Sequence, residues 1–383
     1  MMSRFPLLCL LFTSTAQRFP ALWFGTYPSQ PSNTSGLYDL RNYSLVMLGF
    51  TYPDPHNEAT LQANAAAIKR HSGPSPPPVF VYRNAHLALS SYDLQSQALA
   101  TLPASAWVRN SSAAESPSPC RPGPGNSQAY NFSDAAAVDF YLDKVVEEVA
   151  QEEGVDGVFL DEVDWALCGF LQSECGVDFS AAEVEGLWVG TAATMARTRA
   201  RLASAGKATV QSLFSALDSN GRSIDSKPCL HSEEDWLRAM GGGGGGGGGV
   251  PPLLLRFYGD LGWFGPDGAN ASVCAAYLRN MIEESTLGVG QVVRAVLPSA
   301  ATEADVEALA AAALLSLSPH SYIGFSTGWG YDDWRWWGVL GRELGAPVGP
   351  AVPLPSGNAW VRDFERVPAR YDCDTRVGTL EWH

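Results

Sequence analysis

The sequence predicts an α/β protein with a (β/α)8 TIM barrel, and three observations lead to this prediction. Eight short apolar runs alternate with segments of helical periodicity, the pattern of repeated βαβ units and a parallel sheet. The chain has 383 residues, a length that suits one barrel with insertions. No glycine-rich dinucleotide turn follows the first predicted strand, so a doubly wound open sheet is the second choice.

The predicted strands are short apolar runs bounded by polar or turn residues. The run that contains Val158, Phe159 and Leu160 is apolar on both faces, as expected for a strand covered on both sides. The eight strands are predicted at residues 20–27, 45–52, 79–84, 156–162, 208–214, 253–258, 291–297 and 321–326.

Capping residues and apolar spacing predict the helices between these strands. Ser133, Ser180 and Thr302 each precede a segment with helical spacing, and Ser180 forms a capping box with Glu183. The Ser133 helix should stop at Gly154 and the Ser180 helix at Gly206. Two further helices are predicted at 57–71 and 272–287.

The N-terminus has the features of a secretory signal peptide, predicted at residues 1–16. Arg4 is the positive end, 5–12 is apolar, and small residues precede a cleavage site before Gln17. The expected location is therefore the secretory pathway lumen or the extracellular space. Five glycosylation sequons agree with this expectation, at Asn33, Asn42, Asn110, Asn131 and Asn270.

The cysteine count also fits an oxidising compartment. Loss of Cys9 with the signal peptide leaves six cysteines, an even number that predicts three disulfides. Cys168 and Cys175 flank one short loop and are the predicted pair, while the other pairings stay open. The six are Cys120, Cys168, Cys175, Cys229, Cys274 and Cys373.

The predicted barrel domain covers residues 17–350 and carries two insertions. Residues 103–131 are rich in proline, serine and glycine and are interpreted as a long surface excursion. Residues 241–249 are nine consecutive glycines, a flexible loop without core-forming ability. Residues 351–383 are predicted to form a C-terminal β-hairpin packed on the barrel.

Composition bounds the partners. Lys and Arg total 25 against 40 Asp and Glu, a formal net charge of −15. This balance argues against nucleic acid and anionic membrane surfaces, and no run after the signal peptide is long and apolar enough to insert into a membrane. No metal or other cofactor is predicted, because neither a Cys-x-x-Cys motif nor a histidine pair at ligand spacing occurs in the sequence. The oligomeric state stays open.

The acid cluster after the fourth predicted strand is the main candidate site. The run 155–165 begins as an apolar strand and ends with Asp161, Glu162, Asp164 and Trp165. Unpaired acids are costly inside a strand, so the cluster should lie at the strand's C-terminal end, where barrel enzymes place their active sites. Alternation along a regular strand would direct only one of Asp161 and Glu162 into the mouth.

Paired carboxylates and aromatic platforms are the groups that glycoside hydrolysis needs. We predict that Asp161, where the strand meets solvent, stays ionised as nucleophile or base. Asp260, after the sixth strand, is the first candidate for the acid, and Glu162 and Asp164 are its rivals. Each of these acids could instead be a turn, cap or ion-pairing residue.

Polar and aromatic residues at other strand ends are candidates for binding sugar. Ser212, Gln211 and Ser326 also end strands. Trp336 and Trp337 are expected to be structural, whereas Trp165 or Trp329 should line the cleft. The predicted substrate-binding residues are Tyr27, Tyr52, Arg83, Asn84, Trp165, Tyr258 and Trp329.

The run 155–164 resembles the fourth-strand signature of the family called hypothetical glycosyl hydrolase family fifteen, and more distantly that of the endo-alpha-1,4-polygalactosaminidases. The segments 344–350, 360–365 and 378–382 resemble the closing hairpin of the first family, and the stretch around Tyr38 to Val46 fits its first crossover. The resemblance implies a TIM barrel, a glycosidase activity and a role for Asp161 as the acid at the strand end.

Three functions follow from these observations. A secreted glycosidase that cleaves a poly- or oligosaccharide with a carboxylate pair is the first. A non-catalytic carbohydrate-binding barrel and a structural surface glycoprotein are the alternatives. The sugar, the linkage and the stereochemical course stay open.

Overall fold

The computed structural model describes most of the chain. For 254–258 it describes the backbone alone. The described residues are 19–25, 39–49, 57–109, 127–163, 179–212, 236, 239, 254–258, 271–286, 290–318, 320–327, 334–355 and 357–383.

Eight parallel strands form the central sheet, in the order β1-β2-β3-β6-β7-β8-β9-β10. Each of the eight predicted strands overlaps one of them, so the predicted α/β class with a parallel sheet is confirmed. The strands are β1 (Leu22–Gly25), β2 (Leu45–Leu48), β3 (Val79–Asn84), β6 (Gly157–Asp161), β7 (Ala208–Ser212), β8 (Leu254–Tyr258), β9 (Gly290–Val296) and β10 (Tyr322–Ser326).

The sheet is strongly curved. Phe24 of β1 and Phe159 of β6 are three strands apart in the sheet, about 14 Å if it were flat. Their ring centroids are nevertheless 5.3 Å apart, so both side chains lie on the concave face. At the two edges of the sheet, a parallel bridge joins Ala21 to Ile323. The backbone N–H of Ile323 also donates to the carbonyl of Pro20 at 2.9 Å, which brings the first and last strands together.

Helices connect the strands; the predicted capping box at Ser180 and the predicted cap at Thr302 are confirmed, and Thr302 also forms a capping box. Ser180 and Thr302 each accept a bond from the third residue of the helix, whose carboxylate binds back to the cap. The helices are α1 (Asn57–His71), α2 (Asp93–Thr101), α3 (Ala135–Phe140), a π-helical turn (Tyr141–Val146), α4 (Glu147–Gln151), α5 (Ala181–Ser204), α6 (Ala271–Thr286) and α7 (Glu303–Leu315).

The predicted cap at Ser133 is wrong by one residue. Asp134 caps α3, and its carboxylate accepts from the N–H of Ala136 at 2.8 Å. The hydroxyl of Ser133 instead donates to the side chain of Asn131 at 2.5 Å. Both residue types are good caps, and this local hydrogen bond decides between them.

The two ends of the 103–131 excursion are anchored in the core. Short strands β4 (Leu87–Ala88) and β5 (Gln128–Ala129) pair antiparallel, and a bridge joins Trp107 to Tyr130. Both of these aromatic side chains are buried, and their rings stack at 5.3 Å. The expectation of a surface excursion is therefore wrong for its two ends, and the middle of the segment, 110–126, lies outside the described residues.

The C-terminal region is larger than the predicted hairpin. The hairpin of β12 (Ala359–Asp363) and β13 (Pro368–Asp372) is extended by β11 (Val352–Pro353) and β14 (Val377–Leu380) into a four-stranded antiparallel sheet. Both residues of β11 are exposed, and only Leu380 is buried in β14. The two outer strands therefore have a weaker apolar pattern than the central pair.

A disulfide between Cys274 and Cys373 joins α6 to the end of β13. It is one bridge of the predicted set of six cysteines, in a pairing that the sequence left open. The predicted pair of Cys168 and Cys175 lies outside the described residues, as do Cys120 and Cys229. Among the helices that the structure describes, none is both long and apolar enough to cross a lipid bilayer.

Candidate active site

Tyr82 and Asn84 of β3 lie beside the end of β6, where the predicted acid cluster begins. The two strands are neighbours, and Asn84 is in register with Asp161. Because side chains alternate along a strand, Tyr82 and Asn84 share one face of β3. The Tyr82 ring also packs edge-on against Phe159 at 5.7 Å, which places this face on the concave side of the sheet.

These side chains join two carboxyl groups in one hydrogen-bond network. The hydroxyl of Tyr82 donates to Asp161 Oδ2 at 3.1 Å. The amide Nδ2 of Asn84 lies 3.2 Å from the Tyr82 hydroxyl and donates to Glu162 Oε2 at 2.8 Å. Ser212, at the end of β7, also hydrogen-bonds to the Asp161 carboxyl. The strand-end acids are thus positioned by neutral donors from β3 and β7.

Asn84 is itself held in place by the chain that follows it. Its Oδ1 accepts from the backbone N–H groups of His86 at 2.9 Å and Leu87 at 2.6 Å. With the oxygen occupied by two donors, the Nδ2 group must point toward Tyr82 and Glu162. The side chain of Asn84 is also buried, which restricts its rotation further.

The backbone at Glu162 explains how both acids reach this network. Glu162 has φ 56°, in the left-handed region that non-glycine residues rarely adopt. A regular strand would direct Asp161 and Glu162 to opposite faces, as the sequence pattern predicted. The left-handed turn ends the alternation and brings the Glu162 carboxylate to Asn84. Such a strained residue is typical of functional sites, where the surroundings must hold it in place.

Burial raises the pKa of both Asp161 and Tyr82. Burial raises the pKa of Asp161, against the bonds from Tyr82, the Glu162 N–H and Ser212 that favour the charged form. This differs from the expectation that solvent at the strand end keeps Asp161 ionised. Burial, and then the nearby charges of Asp161 and Glu162, raises the pKa of Tyr82 well above its ordinary value. The Tyr82 hydroxyl therefore keeps its proton and donates a hydrogen bond to Asp161.

Arg83, a predicted sugar-binding residue, does not join this network. It points to the opposite face of β3, into the helix layer, where its Nη2 pairs with Glu148 Oε2 of α4 at 2.5 Å. Its guanidinium also lies 5.3 Å from the Tyr92 ring centroid and donates to the Tyr82 carbonyl at 2.7 Å. Only 2% of the Arg83 side chain is exposed, so the structure places this cation in an internal ion pair.

His86 is a buried polar residue next to the site that the sequence did not single out. Within the part of the chain that the structure describes, neither ring nitrogen has a hydrogen-bond partner, and the ring packs edge-on against Phe132 at 6.3 Å. Burial lowers the pKa of His86 to about 3, so the imidazole is neutral at ordinary pH. Its backbone, through the bond to Asn84 Oδ1, contributes to the geometry of the site.

The remaining predicted site residues have side chains outside the described part of the chain. Tyr258 ends β8, but its side chain is outside the described part of the chain. The predicted residues outside the described ones are Tyr27, Tyr52, Asp164, Trp165, Asp260 and Trp329.

Tyr82 was missed by the sequence analysis because its aromatic ring resembles a core residue. Its position two residues before Asn84 on the same face is the signal that could have found it.

Comparisons with known proteins give a weak result. No family model matches the chain, and no curated protein matches it. Among solved structures, the chain is similar to a beta-N-acetylhexosaminidase, with 12% identity over 72% of this chain and 55% of that chain and a TM-score of 0.37. The chain thus spans about half the length of that protein.

Two further solved structures are similar over most of their length. One is the endo-beta-1,4-mannanase from Thermotoga petrophila, with 10% identity over 81% of this chain and 68% of that chain and a TM-score of 0.46. The other is a D-psicose 3-epimerase, with 9% identity over 83% of this chain and 90% of that chain and a TM-score of 0.36. These similarities are too low to assign a reaction or a substrate.

Proposed function

We propose that the protein is a secreted glycoside hydrolase of the closed (β/α)8 barrel type, with its carboxyl pair at the C-terminal end of the parallel strands. The observation that carries the proposal is the shared network of Asp161 and Glu162 around Tyr82 and Asn84. Carboxyl groups held at this end of a parallel sheet are in the usual position of a barrel active site.

Asp161 is the proton-exchanging carboxyl in this proposal. Glycosidases need one carboxyl whose pKa is raised, so that it can hold a proton for the leaving oxygen, and one that stays charged. Burial raises the pKa of Asp161. Its role is therefore general acid rather than the nucleophile or base predicted from the sequence.

We assign the role of the charged partner to Glu162, whose carboxyl accepts a hydrogen bond from the Asn84 amide at 2.8 Å in the same network. Asp260 and Asp164 stay alternatives for this role from the sequence. The resemblance to the hypothetical glycosyl hydrolase family fifteen supports the same position for the acid. We infer from it that the substrate is a poly- or oligosaccharide, and no nucleic acid partner is proposed.

A carbohydrate-binding protein without catalysis is the second candidate. The observation that favours it is that three donors among the described residues bind Asp161: Tyr82, Ser212 and the Glu162 N–H. An acid that only supports the strand end would be bound in the same way.

Hydrolysis and binding can be separated with the secreted protein and a panel of polysaccharides. We expect release of reducing ends from at least one polysaccharide by the wild type and none by Asp161→Asn, which should still bind that polysaccharide. Asp156→Asn is the matched control, because Asp156 precedes the same strand at its other end and binds the N–H of Val79 at 2.7 Å. If the wild type binds a polysaccharide but releases no reducing ends from it, the result would favour the carbohydrate-binding protein without catalysis.

A further inference from the structure

A cavity of about 210 Å³ lies far from Asp161, at the other end of the strands. Residues 41–44 line it and lead directly into β2, and Phe19 lines it from just before β1. Trp336 and Leu340 form the opposite side. The cavity is therefore at the N-terminal edge of the sheet, whereas Asp161 is at the C-terminal edge.

Trp336 is exposed beside this cavity although the sequence analysis expected it to be structural. Its exposed fraction is 40%, compared with 5% for its neighbour Trp337. Tyr43 supports the Trp336 ring edge-on, with the ring centroids 5.3 Å apart, so the indole is held as a fixed platform. Because the partly exposed indole also lines the cavity, its ring offers an apolar surface to a group that enters there.

The polar residues around the cavity do not favour a charged ligand. Arg41 is the cation at its rim, and its Nε donates to Asp39 Oδ1 at 2.7 Å. This pairing with a carboxylate within the same turn offsets the charge of the guanidinium. An aromatic platform with neutral polar neighbours is better suited to a sugar ring, whose C–H groups can lie on the negative face of an indole.

Asn42 lines the same cavity and begins the sequon Asn42-Tyr43-Ser44. The Asn42 side chain is exposed in the turn before β2, as the acceptor of an N-linked glycan must be in the folded protein. We propose that Asn42 carries an N-linked glycan whose first N-acetylglucosamine lies in this cavity, against the face of Trp336. The proposal rests on entry into the secretory pathway, which is part of the proposed function, and is independent of catalysis.

The sequon at Asn131 provides a contrast. Its Nδ2 donates to the carbonyl of Ser105 at 2.9 Å, and its Oδ1 accepts from the Ser133 N–H at 3.2 Å. The middle residue of this sequon, Phe132, is buried. Asn131 is thus engaged in the fold, and we expect it to be unmodified while Asn42 is occupied.

Mass spectrometry of the secreted protein after enzymatic glycan release in heavy-oxygen water tests the occupancy. The expected result is conversion of Asn42 to labelled aspartate with Asn131 unchanged. Absence of the label at Asn42 would overturn the proposal. If another sequon carries the label while Asn42 does not, the proposal fails but entry into the secretory pathway stands.

Hydroxyl-radical footprinting of Trp336 tests the contact. Trimming the glycan to a single N-acetylglucosamine should leave Trp336 protected, whereas loss of glycosylation at Asn42 alone, through Ser44→Ala, should raise its oxidation several-fold. Trp337 is the internal control, because it is buried in both forms. Equal oxidation of Trp336 in the two forms would show that the sugar lies elsewhere.

The same Ser44→Ala protein separates an attached glycan from a free sugar. If the cavity is the seat of the Asn42 glycan, millimolar free N-acetylglucosamine should give little protection of Trp336, because the attachment supplies the effective concentration. Full protection by the free sugar at that concentration would instead identify a ligand-binding site and contradict the proposal.

Discussion

The two faces of β3 carry two polar networks, one buried and one with half-buried acids, and their difference separates structure from chemistry. On the helix side, the charge of Arg83 is balanced by Glu148 at 2.5 Å, with the Tyr92 ring alongside. On the concave side, Asp161 and Glu162 are held by the neutral groups of Tyr82 and Asn84. In the helix-side network a carboxylate neutralises the cation. In the concave-side network, the contacts described for the two acids are hydrogen bonds from neutral groups, without a cation.

This difference predicts opposite responses to substitution. A buried charge with its own counter-ion contributes to the folded state only while both partners are present. A carboxyl whose ionised form is disfavoured by burial reduces stability near neutral pH, and such a group is retained where it has a chemical task. The variants below are ordered from the largest expected effect to the smallest.

Asp161→Asn should abolish most of the glycosidase turnover without unfolding the protein. Loss of a general acid typically lowers the rate by about 10²–10⁴-fold. Turnover of Asp161→Asn and the control Asp156→Asn would be compared on the best polysaccharide, with circular dichroism to confirm folding. Equal turnover in Asp161→Asn and wild type would remove Asp161 from the mechanism.

Arg83→Met should lower stability and leave turnover per folded molecule unchanged. Breaking a buried ion pair leaves Glu148 without its partner and costs about 3–5 kcal/mol. Denaturant unfolding would measure the loss, and the double variant Arg83→Met with Glu148→Gln should recover much of it. A folded Arg83→Met protein that has lost turnover would place Arg83 in the functional site instead.

His86→Phe should make the protein more resistant to acid. Burial lowers the pKa of His86 from 6.5 to about 3. The folded state thus holds this proton less tightly than the unfolded state, and stability is lost as pH falls from about 6.5 toward 3. The difference between the melting temperatures at pH 7 and pH 4 should be smaller in His86→Phe than in wild type. The exposed His71→Gln variant is the control and should keep the wild-type difference.

The stability of Asp161→Asn should depend on pH in the opposite direction. Burial raises the pKa of Asp161 above 3.8, so the folded protein binds this proton more tightly than the unfolded chain. The stability from this group is present below the unfolded pKa and lost as pH rises through the folded pKa. The gain in melting temperature of Asp161→Asn over wild type should therefore be larger at pH 7 than at pH 3. A larger gain at pH 3 would contradict burial as the dominant cause.

Tyr82→Phe should have the smallest effect, a shift of the pH–rate profile. The hydroxyl bond from Tyr82 lowers the pKa of Asp161, so its removal should raise that pKa further and move the alkaline limb of the profile to higher pH. The profile of kcat against pH would measure this shift. Tyr92→Phe is the matched control, because the Tyr92 hydroxyl meets the Tyr82 carbonyl at 3.4 Å rather than an acid. An unchanged profile in Tyr82→Phe would mean that Asp161 does not set the alkaline limb.

Much of the fold was predictable because its signals are local. The eight strands were found from apolar runs, and the caps at Ser180 and Thr302 from side chains that bind the first turn. The C-terminal sheet was predicted as a hairpin of two strands only, since β11 is exposed throughout and Leu380 alone is buried in β14. The candidate site was found in part: Asp161, Glu162 and Asn84 were named, but Tyr82 was not.

The sequence by itself determined where the eight strands of the central sheet and most of the helices between them form, and that a cluster of acids follows β6, because periodicity, capping and composition act over a few residues. Only the tertiary structure decided which neighbours those acids have. It placed Arg83 with Glu148 in the helix layer, and Tyr82 beside Asp161. The left-handed turn at Glu162 and the burial that raises the pKa of Asp161 depend on contacts between segments far apart in the chain. Hydrogen bonding and desolvation at a site are set by these three-dimensional neighbours, which local patterns do not encode.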